Sequence, residues 1–157
     1  EKQREAAFAK LVSQADAALA SEPRAPELLI WRGIILSTQA GAKGGLGALG
    51  LVKQAKTNLE QALAIDPQAL AGSAYTSLGS LYYQVPGWPI GFGDDEQAEK
   101  MLKQALAINP DGIDPNYFYG DFLQRQKRYE ESRAVLADQG RRAEAAALLQ
   151  QVTGKLQ

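Results

Sequence analysis

A glycine-rich stretch, GAKGGLGALG at 41–50, is the first candidate for chemistry in this 157-residue sequence. Backbone N–H groups of such a loop can hold phosphate, but a phosphate-binding loop has Gly-Lys-Ser/Thr after a strand. Here Lys43 precedes Gly44 and Gly45, no Ser or Thr directly follows, and both flanks have helical periodicity. We therefore expect glycines that allow a close helix-to-helix crossing. Partner binding is the alternative, and nucleotide binding is disfavoured.

A second stretch, VPGWPIGFGDD at 85–95, carries three large apolar side chains, Trp88, Ile90 and Phe92, among prolines and glycines. Prolines and glycines break helices, so this stretch is predicted to be a rigid loop. Two interpretations stay open at this point. The aromatic side chains either fold onto the protein's own core or contact a partner or ligand.

Acidic residues near two predicted helix starts have roles that need no metal. Asp94 fits an N-cap with Gln97 as its capping-box partner, and Asp114 before Pro115 fits a second N-cap. The stretch at 109–116 lacks the alternating oxygens and bidentate Glu of a calcium loop. No metal and no cofactor are therefore expected.

The sequence contains neither cysteine nor histidine. This excludes thiolate nucleophiles, Ser-His-Asp triads and the usual zinc sites. Tyr117, Asp121 and Arg125 lie close together, but such residues on a helical groove are typical of recognition, so we expect no enzyme. The formal net charge of −1 gives no field that would attract nucleic acid. No apolar run is long enough to span a membrane.

Three similar segments recur along the chain, ALASEP at 18–23, ALAIDP at 62–67 and ALAINP at 105–110. Their prolines are 44 and 43 residues apart, and each ends a segment of helical periodicity. A second helical pattern follows each proline and has glycine at the same place. A small residue there lets a neighbouring helix approach closely. The glycines are Gly33, Gly79 and Gly120, and we expect Ala55, Ala98 and Ser132 to face them.

This arrangement resembles the tetratricopeptide repeat, a helix–turn–helix unit with aromatic, Leu, Gly and Tyr positions in its first helix and a closing Pro after its second. The best match is Tyr75, Leu78, Gly79, Tyr82, Ala98, Leu102, Ala105 and Pro110, whereas Arg32 stands where the first copy should have leucine. The resemblance implies an all-α, right-handed α-solenoid of about three repeats. It divides the chain into a partial repeat (1–23), repeats one to three (26–67, 69–110 and 114–137) and a capping helix (138–157).

Two of the three predicted repeats have enlarged turns. The step from glycine to its small partner is 22 and 19 residues in repeats one and two, against 12 in repeat three. The extra residues include 41–50 and 85–95. Because insertions in a solenoid map to one edge, we expect both to lie side by side and to form part of the binding surface.

The end of the chain departs from the repeat pattern after Leu136. Either repeat three ends early or a loop is absent there, and the second interpretation is favoured. The capping helix would then turn Ala143, Ala147, Leu148 and Val152 inward.

The first helix of each repeat is expected to line a concave groove. Repeats that bind acidic C-termini have Lys, Asn and Arg there, so Ile30 and Ile34 favour an apolar peptide or partner helix instead. We predict a non-enzymatic scaffold or adaptor that binds protein or peptide. Its contact residues would be Ile30, Ile34, Thr38, Thr76, Ser80, Tyr83, Tyr117, Asp121 and Arg125, with Trp88 and Phe92 from the second insertion.

A second hypothesis is a small-molecule carrier with a pocket walled by Trp88, Phe92 and Tyr83. Burial of those residues between chains of a homo-oligomer would favour the scaffold. The expanded glycine-rich turns also resemble bacterial exported repeat proteins that accompany TRAP-type transporters, which implies a periplasmic location. Since the first residue is not Met, we expect the natural N-terminus upstream, where an export signal could have been removed.

Overall fold

The computed structural model describes residues 2–138, and this part of the chain is all-α, which confirms the predicted helical repeat architecture. Within it, no helix has the length and hydropathy needed to cross a bilayer. The predicted capping helix lies outside the described residues from position 139 onward, and the preceding helix continues through Leu136 without a break. The helices are α1 (Lys2–Ser21), α2 (Pro26–Lys43), α3 (Leu49–Ile65), α4 (Ala69–Gln84), α5 (Asp95–Ile108), α6 (Ile113–Arg125) and α7 (129–138).

Proline sets several of the helix boundaries, as the sequence predicts. Asp66 and Asn109 follow the last residues of α3 and α5 and have φ of −151° and −134°. Both precede a proline, whose ring disfavours the helical conformation in the residue before it. Pro26 begins α2, where the missing N–H costs no helical hydrogen bond.

Neighbouring helices pack in pairs, and the pairs pack side by side. The closest packing joins α2 to α3 and α4 to α5. In addition α2 contacts α4, and α4 contacts α6, so the first helices of successive pairs form one layer. Two clusters of buried side chains fill the space between the layers, and Tyr82 packs against both of them.

A leucine seated on a glycine joins the two helices of each pair. A Cβ atom on Gly79 would lie 2.6 Å from Cγ of Leu102 and 3.3 Å from the carbonyl oxygen of Ala98. The same contact recurs between Gly33 and Leu59 and between Gly120 and Leu136. In the last pair, Oγ of Ser132 also donates a hydrogen bond of 2.8 Å to the carbonyl oxygen of Gly120. The close approach predicted at all three glycines is confirmed.

The residue before two of these glycines bonds its helix to neighbouring helices. Arg32, which departs from the repeat pattern, donates hydrogen bonds of 2.6 Å to Asp16 on α1 and 2.7 Å to Asn58 on α3. Tyr119 donates a 3.2 Å hydrogen bond to Glu99 on α5. Although burial raises the pKa of Glu99, hydrogen bonds from Arg128 and Lys103 hold it below its ordinary value. Arg32, where the repeat pattern has leucine, thus makes polar contacts in place of an apolar one.

The start of α4 contains a left-handed turn that the sequence pattern did not predict. Leu70, Ala71 and Gly72 have φ of 48°, 53° and 78°. Gly79 comes twelve positions after Pro67, whereas Gly33 and Gly120 come ten positions after Pro23 and Pro110. The left-handed turn takes up the two extra residues, and it costs Leu70 and Ala71 about 1 to 3 kcal/mol each.

One of the two predicted N-caps is confirmed and the other is wrong. The Asp94 carboxylate accepts a 3.0 Å hydrogen bond from the Gln97 N–H, while the Asp94 N–H bonds to Tyr82, so the capping box is not reciprocal. Asp114 is not an N-cap, because α6 begins two residues earlier than predicted, at Ile113, and Gly112 takes the N-cap position. Asp114 instead lies in the first turn, where the helix dipole favours negative charge.

Substitution of Gly79 by alanine should destabilise the protein, because the new methyl group would overlap Leu102. We expect Gly79→Ala to lower the free energy of unfolding by about 1 to 3 kcal/mol. Gly41→Ala is the matched control: it also lies in a helix, but its Cβ would meet no atom within 4 Å. It should keep the stability or raise it by up to about 1 kcal/mol. Urea unfolding at neutral pH measures both, and equal stabilities would contradict the leucine-on-glycine contact.

Candidate functional site

The layer formed by α2, α4 and the start of α6 encloses a groove of about 740 Å³, which we name the hydroxyl groove. Residues on α2 and α4 make most of its walls, and hydroxyl groups are frequent among them. Of residues 2–138, Asp114 is the one charged residue in its lining. Representative wall residues are Ile34, Ser37, Thr38, Thr76, Ser80 and Gln84.

The hydroxyl groups of three wall residues already donate their protons to backbone carbonyls. Ser37 donates to Gly33 at 2.8 Å, Thr38 to Ile34 at 2.9 Å, and Ser73 to the residue three positions before it at 2.6 Å. A hydroxyl oxygen that has donated its proton still has lone pairs to accept a hydrogen bond. These positions therefore offer acceptors to whatever enters the groove.

A second cavity of about 450 Å³, which we name the insertion cavity, lies where the two enlarged turns meet. The first turn contributes Leu46 and Leu49, and the second contributes Val85, Pro86 and Ile90. The described part of the chain contributes no charged residue to its lining. The two insertions therefore lie side by side, as the repeat pattern predicts, and together they form an apolar cavity.

The glycines of 41–50 do not serve a close helix crossing, and that prediction is wrong. A Cβ atom on Gly41, Gly44, Gly45 or Gly50 would meet no atom within 4 Å. Gly44 and Gly45 instead have φ of 65° and 60°, a conformation that favours glycine. They end α2 and lead the chain into a short 3₁₀ turn before α3. Their role is to reverse the chain direction in little space.

The stretch 85–95 is a hydrogen-bonded loop whose aromatic residues have different fates. Phe92 packs against the core. Its ring is edge-on to that of Tyr82, with 5.7 Å between the two ring centroids, and Nζ of Lys56 lies 5.6 Å from the centroid of the Phe92 ring. Trp88 is 90% exposed. Its peptide bond to Pro89 is cis. The two interpretations of this stretch therefore apply to different side chains: Phe92 packs on the core, and Trp88 is available for contact.

A polar cluster joins α4 to α6 on the same layer of first helices. The phenol of Tyr83 donates a 2.7 Å hydrogen bond to Asp121, and Arg125 donates a 3.1 Å bond to the same carboxylate. The Arg125 guanidinium also lies 5.1 Å from the centroid of the Tyr83 ring. Burial of the phenol, and then its hydrogen bond to Asp121, raise the pKa of Tyr83 well above its ordinary value.

The structure places the predicted contact residues in three groups. Ile34, Thr38, Thr76 and Ser80 line the hydroxyl groove. Ile30 does not, because its side chain is fully buried in the core shared by α2, α3 and α4, and its assignment to the groove surface is wrong. The remaining predicted residues line neither cavity described above, and they are Tyr83, Trp88, Phe92, Tyr117, Asp121 and Arg125.

Sequence reasoning missed several residues that line the cavities. Ser37 stands four residues after the packing glycine of its helix, and counting from that glycine would have found it. Ile90 and Leu46 were not assigned because each belongs to an insertion without a repeat register. Gln84, at the end of α4, lines both cavities.

The stretch at 109–116 uses its oxygens internally. The side-chain amide of Asn116 donates 2.8 Å hydrogen bonds to the carbonyl oxygens of both Pro110 and Gly112. Across residues 2–138, no group of three or more Asp and Glu side chains could hold a metal ion. Residues 109–112 form the turn between α5 and α6, and 113–116 form the first turn of α6.

The different positions of Trp88 and Phe92 predict different effects on stability. Trp88→Ala should change the free energy of unfolding by less than about 0.5 kcal/mol, because the side chain is exposed. Phe92→Ala should cost about 2 kcal/mol, since it removes a half-buried ring from Tyr82 and Lys56. Urea unfolding followed by circular dichroism avoids the loss of tryptophan fluorescence. A large loss of stability in Trp88→Ala would show that this ring packs on the protein.

The raised pKa of Tyr83, caused by burial and then by its hydrogen bond to Asp121, predicts that the folded protein loses stability in alkali. Above about pH 10 a tyrosine in the unfolded chain releases its proton, whereas Tyr83 in the folded protein keeps it. The free energy of unfolding should therefore fall as the pH rises above that value. Tyr83→Phe should cost about 1 kcal/mol at pH 7 and should make the alkaline decline shallower. Urea unfolding between pH 7 and 11 measures both, and parallel curves for the two proteins would contradict the assignment.

Comparison with known proteins agrees with the helical geometry. Residues 90–156 match the family model of the tetratricopeptide repeat. This match covers less than half of the chain. No curated protein matches the sequence. The matched region begins in the second insertion and includes α5, α6 and α7, and it supports the resemblance to tetratricopeptide repeats.

Proposed function

We propose that the chain is a non-enzymatic scaffold that binds a peptide, or a segment of a partner protein, along its layer of first helices. The observation that carries this proposal is the continuity of the two cavities. Ser37, Gly41, Ser80 and Gln84 line both of them. One extended segment can therefore contact the hydroxyl groove and the insertion cavity together. Tetratricopeptide repeats in general mediate protein–protein interactions, which supports the same function.

The chemistry of the cavity walls supports binding over catalysis. Activation of a serine as a nucleophile needs a base within hydrogen-bond reach. The Ser37 hydroxyl, at the junction of the cavities, donates to a backbone carbonyl instead. Among the wall residues that the structure describes, Asp114 is the one ionisable side chain, so these residues supply no pair of acid and base groups.

The insertion cavity also supports a second candidate, a carrier of a small apolar molecule. Its volume of about 450 Å³ lies within the range of roughly 300 to 1,000 Å³ that is usual for ligand pockets. The walls would differ from the sequence prediction, because Trp88 is exposed and Ile90, two residues later, lines the cavity instead. Saturable binding of a neutral apolar dye, together with failure to select any peptide, would favour the carrier.

A bacterial periplasmic location and association with a transporter stay predictions from the sequence. Fractionation of the source cells, with an antibody against this chain, tests the location. Association between copies through the exposed Trp88 also stays a prediction.

A large side chain placed in the hydroxyl groove should weaken peptide binding. We would select a displayed library of random twelve-residue peptides on the wild-type protein and measure the selected peptides by fluorescence polarisation. Thr38→Trp places a large side chain in the hydroxyl groove from an exposed position, and we expect it to weaken binding at least tenfold.

Thr57→Trp is the matched control for this experiment. Like Thr38, Thr57 is exposed within a helix and bonds to the carbonyl oxygen four residues before it, but it lines neither cavity. It should leave the affinity unchanged. Equal binding by both variants, or failure to select any peptide, would refute the groove as the binding site.

A further inference from the structure

We infer that the segment bound by this protein is both basic and apolar: it presents N–H donors and positive charge to the hydroxyl groove, and one large aliphatic or aromatic side chain to the insertion cavity. This inference rests on the proposed function and specifies the chemistry of its partner.

The first argument is the supply of hydrogen-bond acceptors in the groove. Ser37, Thr38 and Ser73 have each committed their proton to a backbone carbonyl of their own helix, at 2.6 to 2.9 Å. The hydroxyl oxygens of these three residues are therefore acceptors. A bound chain would satisfy them with backbone N–H groups or with the side chains of Lys, Arg, Asn or Gln, all of which are donors.

The second argument is charge. Among residues 2–138, Asp114, in the first turn of α6, is the one charged residue in the lining of either cavity, and this part of the chain contributes no Lys or Arg to them. An acidic segment would lose water without gaining a cation, and burial of an unpaired carboxylate is costly. A Lys or Arg of the bound segment would instead find Asp114 and the hydroxyl acceptors. The groove therefore disfavours acidic segments and favours basic ones.

The third argument is the apolar character of the insertion cavity. The insertion cavity is walled by Leu49, Val52, Leu81 and Val85, and Leu46 and Ile90 are 80% and 58% exposed at its rim. When a ligand covers side chains exposed to this degree, it removes apolar surface from water, which is favourable. The cavity thus provides a place for one large apolar side chain, while the polar remainder of the segment lies along the groove.

Gly41 offers a way to close the passage between the two cavities without disturbing the fold. It lines both cavities, lies within α2, and a Cβ atom added there would meet nothing within 4 Å. Gly41→Trp should fill the junction, whereas Gly41→Ala adds one methyl group at the same place. Thermal unfolding of both variants verifies that they are folded.

The test uses the same library of random twelve-residue peptides, selected on the wild-type protein at about 150 mM salt. We expect the selected peptides to be enriched in Lys or Arg, depleted in Asp and Glu, and to share a large apolar residue. For one selected peptide, exchange of its basic residues for Glu, or of its apolar residue for Ala, should each weaken binding at least tenfold. Gly41→Trp should weaken binding similarly, and Gly41→Ala should change it less than threefold.

Different results would overturn the inference and the proposed function separately. Selected peptides that lose affinity with Thr38→Trp but are acidic, or that tolerate the charge exchange within twofold, would overturn the inference and leave the groove as the binding site. Unchanged binding by Gly41→Trp would likewise overturn the role of the insertion cavity. If no selected peptide responds to Thr38→Trp, the proposed function fails as well.

Discussion

The seat of a leucine on a glycine of the preceding helix sets the geometry on which the rest of the structure depends. Because Gly79 has no side chain, Leu102 packs directly on its backbone, in space that a Cβ atom would otherwise occupy. The same contact recurs in the pairs before and after it, so all three pairs have a similar spacing. Similar pairs stack with their first helices in one layer, from α2 through α4 to α6. The hydroxyl groove is the exposed surface of that layer.

The enlarged turns change the surface of the repeat without changing its core. Leu59 still meets Gly33 although the first pair has ten extra residues, because most of them extend α2 and α3 beyond the contact and only 44–48 form the turn. The expected placement of all the extra residues in the turn is therefore wrong for this pair. The tight turn at Gly44 and Gly45 and the loop around Pro86 meet beside the layer of first helices. Phe92 packs against the core, whereas Leu46 and Ile90 stay largely exposed. The two insertions thus enclose a cavity next to the groove, and a polar surface gains an apolar end.

Features fixed by neighbouring residues could be predicted, and features fixed by competition between distant ones could not. Asp94 caps its helix as expected because the competing groups are within three residues of it. Asp114 had the same local signal, but the Asn116 side chain bonds to the carbonyl oxygens of Pro110 and Gly112, and α6 begins two residues earlier than that signal predicts. The glycines at 41–50 looked like packing glycines. No helix lies against them, and positive φ angles explain Gly44 and Gly45 instead.

The sequence by itself determined the all-α repeat, its helix ends and its packing glycines, because proline, glycine and helical periodicity act over a few residues. Only the tertiary structure decided which side chains reach the candidate site. Ile30 and Ile34 stand one helical turn apart, yet the first is fully buried and the second lines the groove. Leu46 and Ile90 line one cavity although they are far apart in the chain. Such choices depend on how whole helices pack, and a local pattern holds no information about the surface that a neighbouring helix will cover.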